Sequence, residues 1–445
     1  MSEITKPYKG TRDFYPADKR AQKWMFSVVR RVAESFGYEE YDAPILEETA
    51  IYNLKGNAEI IAEESYSFTD RGGRSVTIRP EMTPSVSRMV AAKRQELPFP
   101  LRWYSIPNCW RYERPQRGRR REFWQPNFDL FGAAGVEADF EILQMADAIM
   151  RAFGAKRSMY TFKINSRKFM NKVLYDYVGL NEVEAVTVQR LIDKRAKMEA
   201  AEFIAAVEAA MTPPKREYGA VSRLMTVLNA KSAADFPEEL RNDSSLDGIK
   251  KLVALIETAG ISNAEFDPSL MRGFDYYTDF VFEVFDNHPD NNRSMFGGGR
   301  YDGLVGLFGV APIETVGFAM GDATLENFLT EHKLWPELPN ETELAMVLIG
   351  DVYQSALPLI ESLREEKVRL SVDFGGRKLG KSIEMASKKG IRYLIVVGGD
   401  ELKDQSFKLK DLTTGKEETH SLERIVSIIK SGASNTDDES VSDLI

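Results

Sequence analysis

Residues 102–132 read RWYSIPNCWRYERPQRGRRREFWQPNFDLFG. Two runs rich in aromatic and β-branched residues flank a middle of Pro, Gln, Gly and Arg, which predicts two antiparallel strands joined by a long loop. Because side chains alternate between the faces of a strand, the second run has one apolar and one polar face. The apolar face carries Trp124, Phe128 and Leu130, and the polar face carries Gln125, Asn127 and Asp129. Pro126 lies inside this run and indicates a bulge or a sheet edge.

The loop between the two runs is rich in arginine: Arg114, Arg117, Arg119, Arg120 and Arg121. Polar side chains beside aromatic residues are costly to bury unless something hydrogen-bonds to them. Guanidinium groups next to a row of acceptors suit a ligand with phosphate and with cationic or amide groups. A solvated sheet face is the simpler alternative, but we favour a ligand site on this hairpin.

The composition limits the possible classes of function. A net charge of −9 excludes a general polyanion binder, so any contact with nucleic acid must be local. Cys109 is the only cysteine, which excludes an internal disulfide and fits a reducing compartment. The three histidines, His288, His332 and His420, do not have zinc-site spacing. Without a signal peptide or a membrane-spanning apolar run, we expect a cytoplasmic protein that makes no membrane contact.

The pattern of the chain predicts three folded parts, because 445 residues correspond to about three domains of ~150 residues. A charged, Ala-rich helical stretch interrupts a region of sheet pattern, and alternating strands and helices follow after a polar linker. The predicted parts are an α+β domain with a mainly antiparallel sheet (1–164 and 262–330), a helical insertion (165–261), a linker (331–343), an α/β domain with a mostly parallel or mixed sheet (344–430) and a disordered acidic tail (431–445).

Two further segments of the first domain are candidates for a site. Glu81, Met82 and Thr83 lie between two prolines where a short strand passes into a helix, a place where functional side chains are often displayed. Helix capping by Thr83 is the alternative. The second segment is FGGGRYDGLVGLFG (296–309), whose glycines permit a close approach of the backbone to a ligand, although a hairpin bulge is the simpler interpretation.

The C-terminal domain contains a motif that resembles a phosphate-binding loop. Residues 375–382 read GGRKLGKS, which satisfies G-x-x-x-x-G-K-[ST] between a predicted strand and a predicted helix. The domain is short for a nucleotide-hydrolysing core, and only Asp400 is available as a magnesium-binding Asp after a strand. We therefore favour a basic turn carrying Arg377, Lys378 and Lys381, which could contact RNA phosphates.

Taken together, these segments resemble the histidyl-tRNA synthetases, a family of class II aminoacyl-tRNA synthetases. The resemblance runs from KGTRDFYP (9–16) to about Lys430 and is weakest in the helical insertion. The helix and strand ending at Pro44 resemble the dimer-forming first class motif, and the hairpin resembles the second. RGFDYY (272–277) and GGGRYDGL (297–304) resemble the two stretches that distinguish the histidine enzymes from their class relatives.

The resemblance implies a two-step reaction. Histidine attacks the α-phosphate of ATP, with Mg²⁺ assisting, and the acyl group of histidyl-adenylate then passes to the terminal adenosine of tRNA(His). It also implies a homodimer and a C-terminal domain that binds the anticodon. The metal ligands stay unknown.

The resemblance also implies roles for individual residues. Arg111 and Arg272 would clamp the α-phosphate, and Arg119 and Arg121 would hold the outer phosphates of ATP. The implied histidine-binding residues are Glu81, Thr83 and Gln125 at the amino group, Asp129 and Tyr277 at the imidazole, and Met82, Tyr276 and Tyr301 around them.

Two departures from the family pattern matter. The third class motif usually carries an arginine where this chain has Thr324, which puts the usual pose of ATP in question. Asp129 stands where the bacterial family more often has Glu, so the imidazole contact must be shorter by about one methylene or mediated by water.

Two other functions remain open at this point. One is a non-catalytic regulatory subunit of ATP phosphoribosyltransferase, which would bind histidine without charging tRNA. Thr324 favours it, whereas the full C-terminal domain, Arg111 and Arg272 favour the synthetase. The other is an NTPase that uses residues 375–382, which we rank last.

Overall fold

The computed structural model describes residues 3–53, 64–271, 276–291, 293–374 and 378–437. The chain separates into two compact units. The first comprises Met1–Asp13 with Lys23–Trp335, and the second comprises Phe14–Gln22 with Pro336–Ile445.

The strands up to residue 335 are β1 (Glu39–Glu40), β2 (Leu46–Glu48), β3 (Tyr66–Thr69), β4 (Ser75–Ile78), β5 (Leu101–Ser105), β6 (Asn108–Trp110), β7 (Glu122–Trp124), β8 (Asn127–Phe131), β9 (Tyr160–Ser166), β10 (Ala264–Phe266), β11 (Phe280–Asp286), β12 (Ser294–Arg300) and β13 (Thr315–Met320). Eight of them form one sheet in the order β1-β5-β8-β13-β12-β11-β9-β10. Only its outer pairs, β1·β5 and β9·β10, are parallel. The prediction of a mainly antiparallel sheet is confirmed.

The helices of this part of the chain are α1 (Pro16–Ser35), α2 (Thr83–Ala92), α3 (Val136–Ala152), α4 (Arg167–Asn171), α5 (Glu182–Lys194), α6 (Ala200–Ala209), α7 (Pro213–Glu217), α8 (Ala220–Leu228), α9 (Glu238–Arg241), α10 (Asp247–Thr258) and α11 (Asp322–Glu331). Apolar residues of α3, α11 and the part of α1 after Lys23 cover one face of the large sheet. On that face, Phe128 and Phe318 stack with ring centroids 4.4 Å apart. The helices α4 to α10 enclose a second core, which includes Phe169, Val188 and Phe203.

Each of the two runs of the hairpin 102–132 is divided at a proline. Pro107 separates β5 from β6, and Pro126 separates β7 from β8. β6 and β7 pair only with each other, whereas β5 and β8 pair within the large sheet. Proline has no N–H to donate to a strand ladder, so each run leaves one sheet and starts another at that residue. The predicted irregularity at Pro126 is confirmed.

The three glycines of residues 297–299 lie in β12, in the interior of the large sheet between β11 and β13. The interpretation as a hairpin bulge is therefore wrong, and the register shift of this strand pair comes earlier, opposite Val284 and Phe285. A Cβ on Gly298 would collide with the carbonyl oxygen of Gly317 on β13. Gly298 thus allows the two strands to approach closely.

The second unit contains β14 (Leu344–Leu348), α12 (Tyr353–Glu365), β15 (Leu370–Asp373), α13 (Leu379–Lys388), β16 (Tyr393–Val397), α14 (Gly399–Asp404), β17 (Phe407–Asp411), β18 (Glu417–His420) and α15 (Leu422–Asp437). The sheet order is β15-β14-β16-β17-β18, with the first three strands parallel and the last two antiparallel. The sheet is therefore mixed, as predicted.

The last helix corrects the predicted tail. Because Ile425, Val426 and Ile429 pack into the core of the second unit, α15 is anchored and continues to Asp437. Residues 431–437 are therefore helical, and residues 438–445 lie outside the described part. Within the described ranges, no helix has the length and apolar character needed to cross a membrane.

We predict that Gly298→Ala lowers the free energy of unfolding by about 3 kcal/mol, because the added methyl group must push β13 away from β12. Gly303→Ala is the matched control, since a Cβ there meets no atom within 4 Å. It should change stability by no more than about 0.5 kcal/mol. Urea unfolding of both variants measures the difference, and equal stability would contradict the packing described.

Candidate active site

A cavity of about 140 Å³ lies on the face of the large sheet opposite the helices α1, α3 and α11. Its lining residues are Glu81, Thr83, Arg111, Gln125, Asn127, Asp129, Tyr276, Tyr277, Gly297, Tyr301, Gly317, Phe318 and Ala319. The apolar and polar faces predicted for residues 124–130 are confirmed, because Phe128 and Leu130 lie in the core while Asn127 and Asp129 face the cavity.

The strand register explains why there is space above the sheet. On β8, Asp129 is paired with Gly317 of β13, and Asn127 is paired with Ala319. Gly317 in turn is paired with Gly299 of β12, and Ala319 with Gly297. Paired residues project on the same face of a sheet. On the cavity face, β13 and β12 therefore present only glycine and alanine beside the polar side chains of β8. The missing side-chain volume forms the cavity.

Asp129 lines the cavity, and the residue is 3% exposed. The Tyr301 hydroxyl donates to its Oδ1, and the Tyr41 hydroxyl donates to its Oδ2 at 3.3 Å. Burial raises the pKa of Asp129 to about 6, although the two tyrosine hydroxyls lower it. Such a carboxylate is ionised at neutral pH and provides a strong acceptor for an N–H group of a ligand.

Glu81 is a second buried carboxylate of the lining, and the Tyr276 hydroxyl donates to its Oε2 at 3.4 Å. The rings of Tyr276 and Tyr301 are 5.6 Å apart, so the two carboxylates border one aromatic wall. The helix α2 starts at Thr83, but Met82 occupies the N-cap position and no side-chain cap bond is present. The capping interpretation of Thr83 is therefore wrong, and its side chain lies at the cavity.

Arg111 brings a positive charge to the cavity. Its Nε donates to the carbonyl of Pro80 at 2.9 Å, and its guanidinium lies 5.4 Å from the centre of the Phe123 ring. Arg272, the second arginine predicted at the α-phosphate, lies outside the described residues. The convergence of Arg111 and Arg272 on one phosphate therefore stays a prediction.

Met82 does not line the cavity, which corrects its predicted place among the histidine-binding residues. Its side chain is fully buried, and its sulfur lies 3.8 Å from Nη1 of Arg79. Glu81 and Thr83 project to one side of this segment while the residue between them projects to the other, into the protein. The prediction treated three consecutive residues as one group, but their side chains point to opposite sides of the segment.

Arg119 and Arg121, predicted to hold the outer phosphates, are not among the lining residues. Arg121 donates to the Tyr8 hydroxyl at 2.9 Å, and its guanidinium stacks 4.0 Å from the centre of the Tyr112 ring. Arg119 lies 3.5 Å from a carboxylate oxygen of Glu113. Their role at phosphate stays a prediction, which would require both side chains to exchange these partners for ATP.

The start of α11 shows what occupies the place of the expected third-motif arginine. Thr324 Oγ1 donates to the carbonyls of Met295 and Gly321, at 2.8 and 2.9 Å. Arg12 from the N-terminal segment pairs with Asp322 and Glu326 of the same helix. A guanidinium is thus present at this helix, although it comes from a distant part of the chain.

Asp322 connects α11 to the hairpin that carries the polar row. Its Oδ1 accepts a hydrogen bond from the backbone N–H of Trp124 at 3.1 Å. Burial raises the pKa of Asp322 to about 6, and the positive charge of Arg12 opposes this rise. Arg12 therefore stabilises a buried carboxylate that holds the hairpin next to the cavity.

We predict that Arg12→Gln lowers the free energy of unfolding at pH 7.5 by about 3 kcal/mol, because it removes the cation paired directly with the buried Asp322 carboxylate. Adding Asp322→Asn should recover most of this loss. Arg30→Gln is the control, because its pair with Glu40 is exposed and should contribute less than about 1 kcal/mol. Equal losses in Arg12→Gln and Arg30→Gln by urea unfolding would contradict the assignment.

We further predict a pH-dependent gain of stability in Asp129→Asn. Because folding raises the pKa of Asp129, ionisation of this carboxylate lowers the free energy of unfolding. The loss is small below about pH 4, grows as the pH rises towards 6 and is nearly complete above that pH. At pH 8 the variant should be more stable than the unchanged protein by about 2–3 kcal/mol, and the difference should shrink towards pH 4. Urea unfolding across this range measures it, and a pH-independent difference would contradict the buried state of the carboxylate.

Comparison with known proteins adds to this geometry. A family model described as histidyl-tRNA synthetase matches residues 10–325, and a model described as anticodon binding domain matches residues 344–432. The chain belongs to the histidyl-tRNA synthetase family. The histidine–tRNA ligase of Leptospira biflexa is 42% identical over 430 residues, which cover 96% of this chain and 97% of that protein.

Solved structures of histidyl-tRNA synthetases have the same fold. The enzyme from Nostoc sp. PCC 7120 is similar with a TM-score of 0.80 at 21% identity, over 96% of this chain and 99% of that one. The apo enzyme from S. aureus is similar with a TM-score of 0.72 at 27% identity, with the same coverage. The predicted fold class and family resemblance are confirmed.

The phosphate-loop motif falls inside the segment that matches the anticodon binding domain. Gly375, Gly376 and Arg377 lie outside the described residues, whereas Lys378 to Ser382 are described. The Ser382 hydroxyl donates to Asp373 Oδ2 at 2.7 Å, which connects the start of α13 to the end of β15. The family match assigns this turn to a domain other than an NTPase core.

Sequence reasoning missed Tyr41 and Gly317, and it gave Asn127 no individual role in the site. The alternation along β8 already placed Asn127 on the polar face, so the signal was present and not used. Gly317 could be found only from the strand register. Tyr41 had no sequence signal, because it reaches Asp129 from a separate part of the chain.

Within the described ranges, no cluster of three or more His, Cys, Asp or Glu residues has the arrangement of a metal site.

Proposed function

We propose that this protein attaches L-histidine to tRNA(His), using ATP to form a histidyl-adenylate intermediate. The observation that carries the proposal is the composition of the cavity. The buried Asp129 carboxylate, held by two tyrosine hydroxyls, can accept an N–H from an imidazole, and Glu81 and Arg111 line the same space. This arrangement occurs in a chain that is similar over nearly its whole length to histidine–tRNA ligases.

Histidine would bind with its side chain towards Asp129. An imidazole N–H donates to the ionised carboxylate, while the α-ammonium group is received by Glu81, Thr83 and Gln125. An apolar amino acid of similar size would leave the buried Asp129 carboxylate desolvated without the N–H that an imidazole donates. Unpaired buried polar groups of this kind give strong discrimination between substrates.

The first chemical step would be an in-line attack of the histidine carboxylate on the α-phosphorus of ATP, with pyrophosphate as the leaving group. Such a displacement needs positioning and charge neutralisation more than covalent help. Arg111 supports this role, because its guanidinium is fixed by the Pro80 carbonyl and faces the cavity. Mg²⁺ would enter with the ATP phosphates and supply further neutralisation of charge.

The C-terminal unit would bind the anticodon loop of tRNA(His), in line with the match of residues 344–432. A homodimer is supported by exposed apolar residues on or beside the small sheet β2-β4-β3, namely Ile45, Leu46 and Phe68. We also propose that the protein works in the cytoplasm.

The test is histidine-dependent exchange of pyrophosphate into ATP. We predict exchange with the unchanged protein and a loss of about 10²–10³-fold in Arg111→Ala, because a fixed positive donor at the α-phosphate is removed. Lys381→Ala is the control variant and should retain full exchange, because the phosphate-loop motif takes no part.

Each outcome separates the hypotheses. Folded protein that binds histidine without exchange would reject the synthetase and support the regulatory subunit. Thr324 in place of the third-motif arginine is the feature that favours this second function. Loss of exchange in Lys381→Ala but not in Arg111→Ala would support the NTPase loop.

A further inference from the structure

Asp129 is held from both of its neighbouring strands. In the sheet it is paired with Trp103 of β5 on one side and with Gly317 of β13 on the other. The Tyr41 hydroxyl approaches from the β5 side to Oδ2, and the Tyr301 hydroxyl approaches from the β13 side to Oδ1. The carboxylate therefore cannot rotate without breaking one of two hydrogen bonds.

Each tyrosine has its own support. A Cβ on Gly317 would lie 2.7 Å from the Tyr301 hydroxyl and 2.9 Å from Asp129 Oδ1, so the glycine makes room for this pair. Tyr41 is fixed by its backbone N–H, which donates to the Tyr104 carbonyl at 2.9 Å, and by its ring, which lies 5.5 Å from that of Trp103. The position of the Tyr41 hydroxyl is thus set by β5, not by a ligand.

From this geometry we propose that Tyr41 is a positioning residue for histidine recognition, which acts through Asp129 and does not itself line the cavity. The inference rests on the proposed function. A carboxylate oxygen accepts about two hydrogen bonds, so each oxygen of Asp129 can still receive an imidazole N–H after its tyrosine bond is made. By holding Oδ2, Tyr41 aims the short Asp side chain into the cavity.

The charge of Asp129 provides a readout that separates this role from a purely structural one. The groups facing it are the hydroxyls of Tyr41 and Tyr301, with Tyr38, Tyr276 and Tyr277 farther away. Arg111 and Glu81 line the same cavity. Loss of the Tyr41 hydroxyl removes a donor that lowers the pKa of Asp129, so this pKa should rise. Histidine binding should then weaken further as the pH falls.

The experiment is calorimetric titration of L-histidine into Tyr41→Phe and unchanged protein between pH 5.5 and 8.5. We expect about tenfold weaker binding in the variant at pH 7, the value of one hydrogen bond to a charged group. The acid limb of its binding profile should move to higher pH. Failure of the unchanged protein to bind histidine would reject the proposed function and the role of Tyr41 together, whereas normal binding by both proteins would reject the role of Tyr41 alone.

The matched control is Tyr38→Phe. Tyr38 comes from the same segment and donates to a carboxylate oxygen of Glu141 at 3.3 Å, outside the cavity. It should leave histidine affinity and its pH profile unchanged. Unaltered affinity and profile in a folded Tyr41→Phe protein would overturn the proposal.

A second set of variants tests the coupling between Tyr41 and Asp129 from the side of the carboxylate. Asp129→Glu adds a methylene that must compete with the Tyr41 hydroxyl for space, so it should weaken histidine binding in the otherwise unchanged protein. In the double variant with Tyr41→Phe, the freed space should restore part of the affinity. Additive losses in the two variants would mean that Tyr41 and Asp129 act independently, which would also overturn the proposal.

Discussion

The pairing of β13 between β8 and β12 is the constraint on which the candidate site depends. It places Asp129 beside Gly317 and Asn127 beside Ala319. On the cavity face, the polar side chains of β8 therefore lie next to glycine and alanine residues of β13 and β12. The other face of the same strands carries Phe128 and Phe318, which pack under the helices. Because side chains alternate, one set of backbone hydrogen bonds fixes both the core and the cavity.

This arrangement buries ionisable carboxyl groups away from solvent. Asp129 and Asp322 are both buried, and burial raises the pKa of each to about 6. The two carboxylates are stabilised in different ways. Asp322 has Arg12 as a cation and helps to hold the hairpin, whereas Asp129 has neutral tyrosine donors and keeps acceptor capacity for a ligand. Sites that bind polar ligands often carry such an energetic cost before the ligand arrives.

Part of this picture could be predicted from sequence. The alternation along residues 124–130 gave the two faces of β8, and periodicity gave most of the strands and helices of the C-terminal unit, although not α14 or β18. Contacts between distant segments could not be obtained in this way. Tyr41 reaches Asp129 across 88 positions, and Arg121 turns to Tyr8 across 113 positions. The glycines of β12 looked like a turn because composition does not show that a neighbouring strand needs the space.

The ion pair of Arg12 with Asp322 has a consequence for biosynthesis. Its partners are 310 positions apart. At about 5–20 residues per second, a ribosome needs roughly 15–60 s to make the intervening chain. During that time the N-terminal segment has been made and α11 has not, so the hairpin lacks the carboxylate that receives the Trp124 N–H. The first unit can therefore reach its final form only near the end of its own translation.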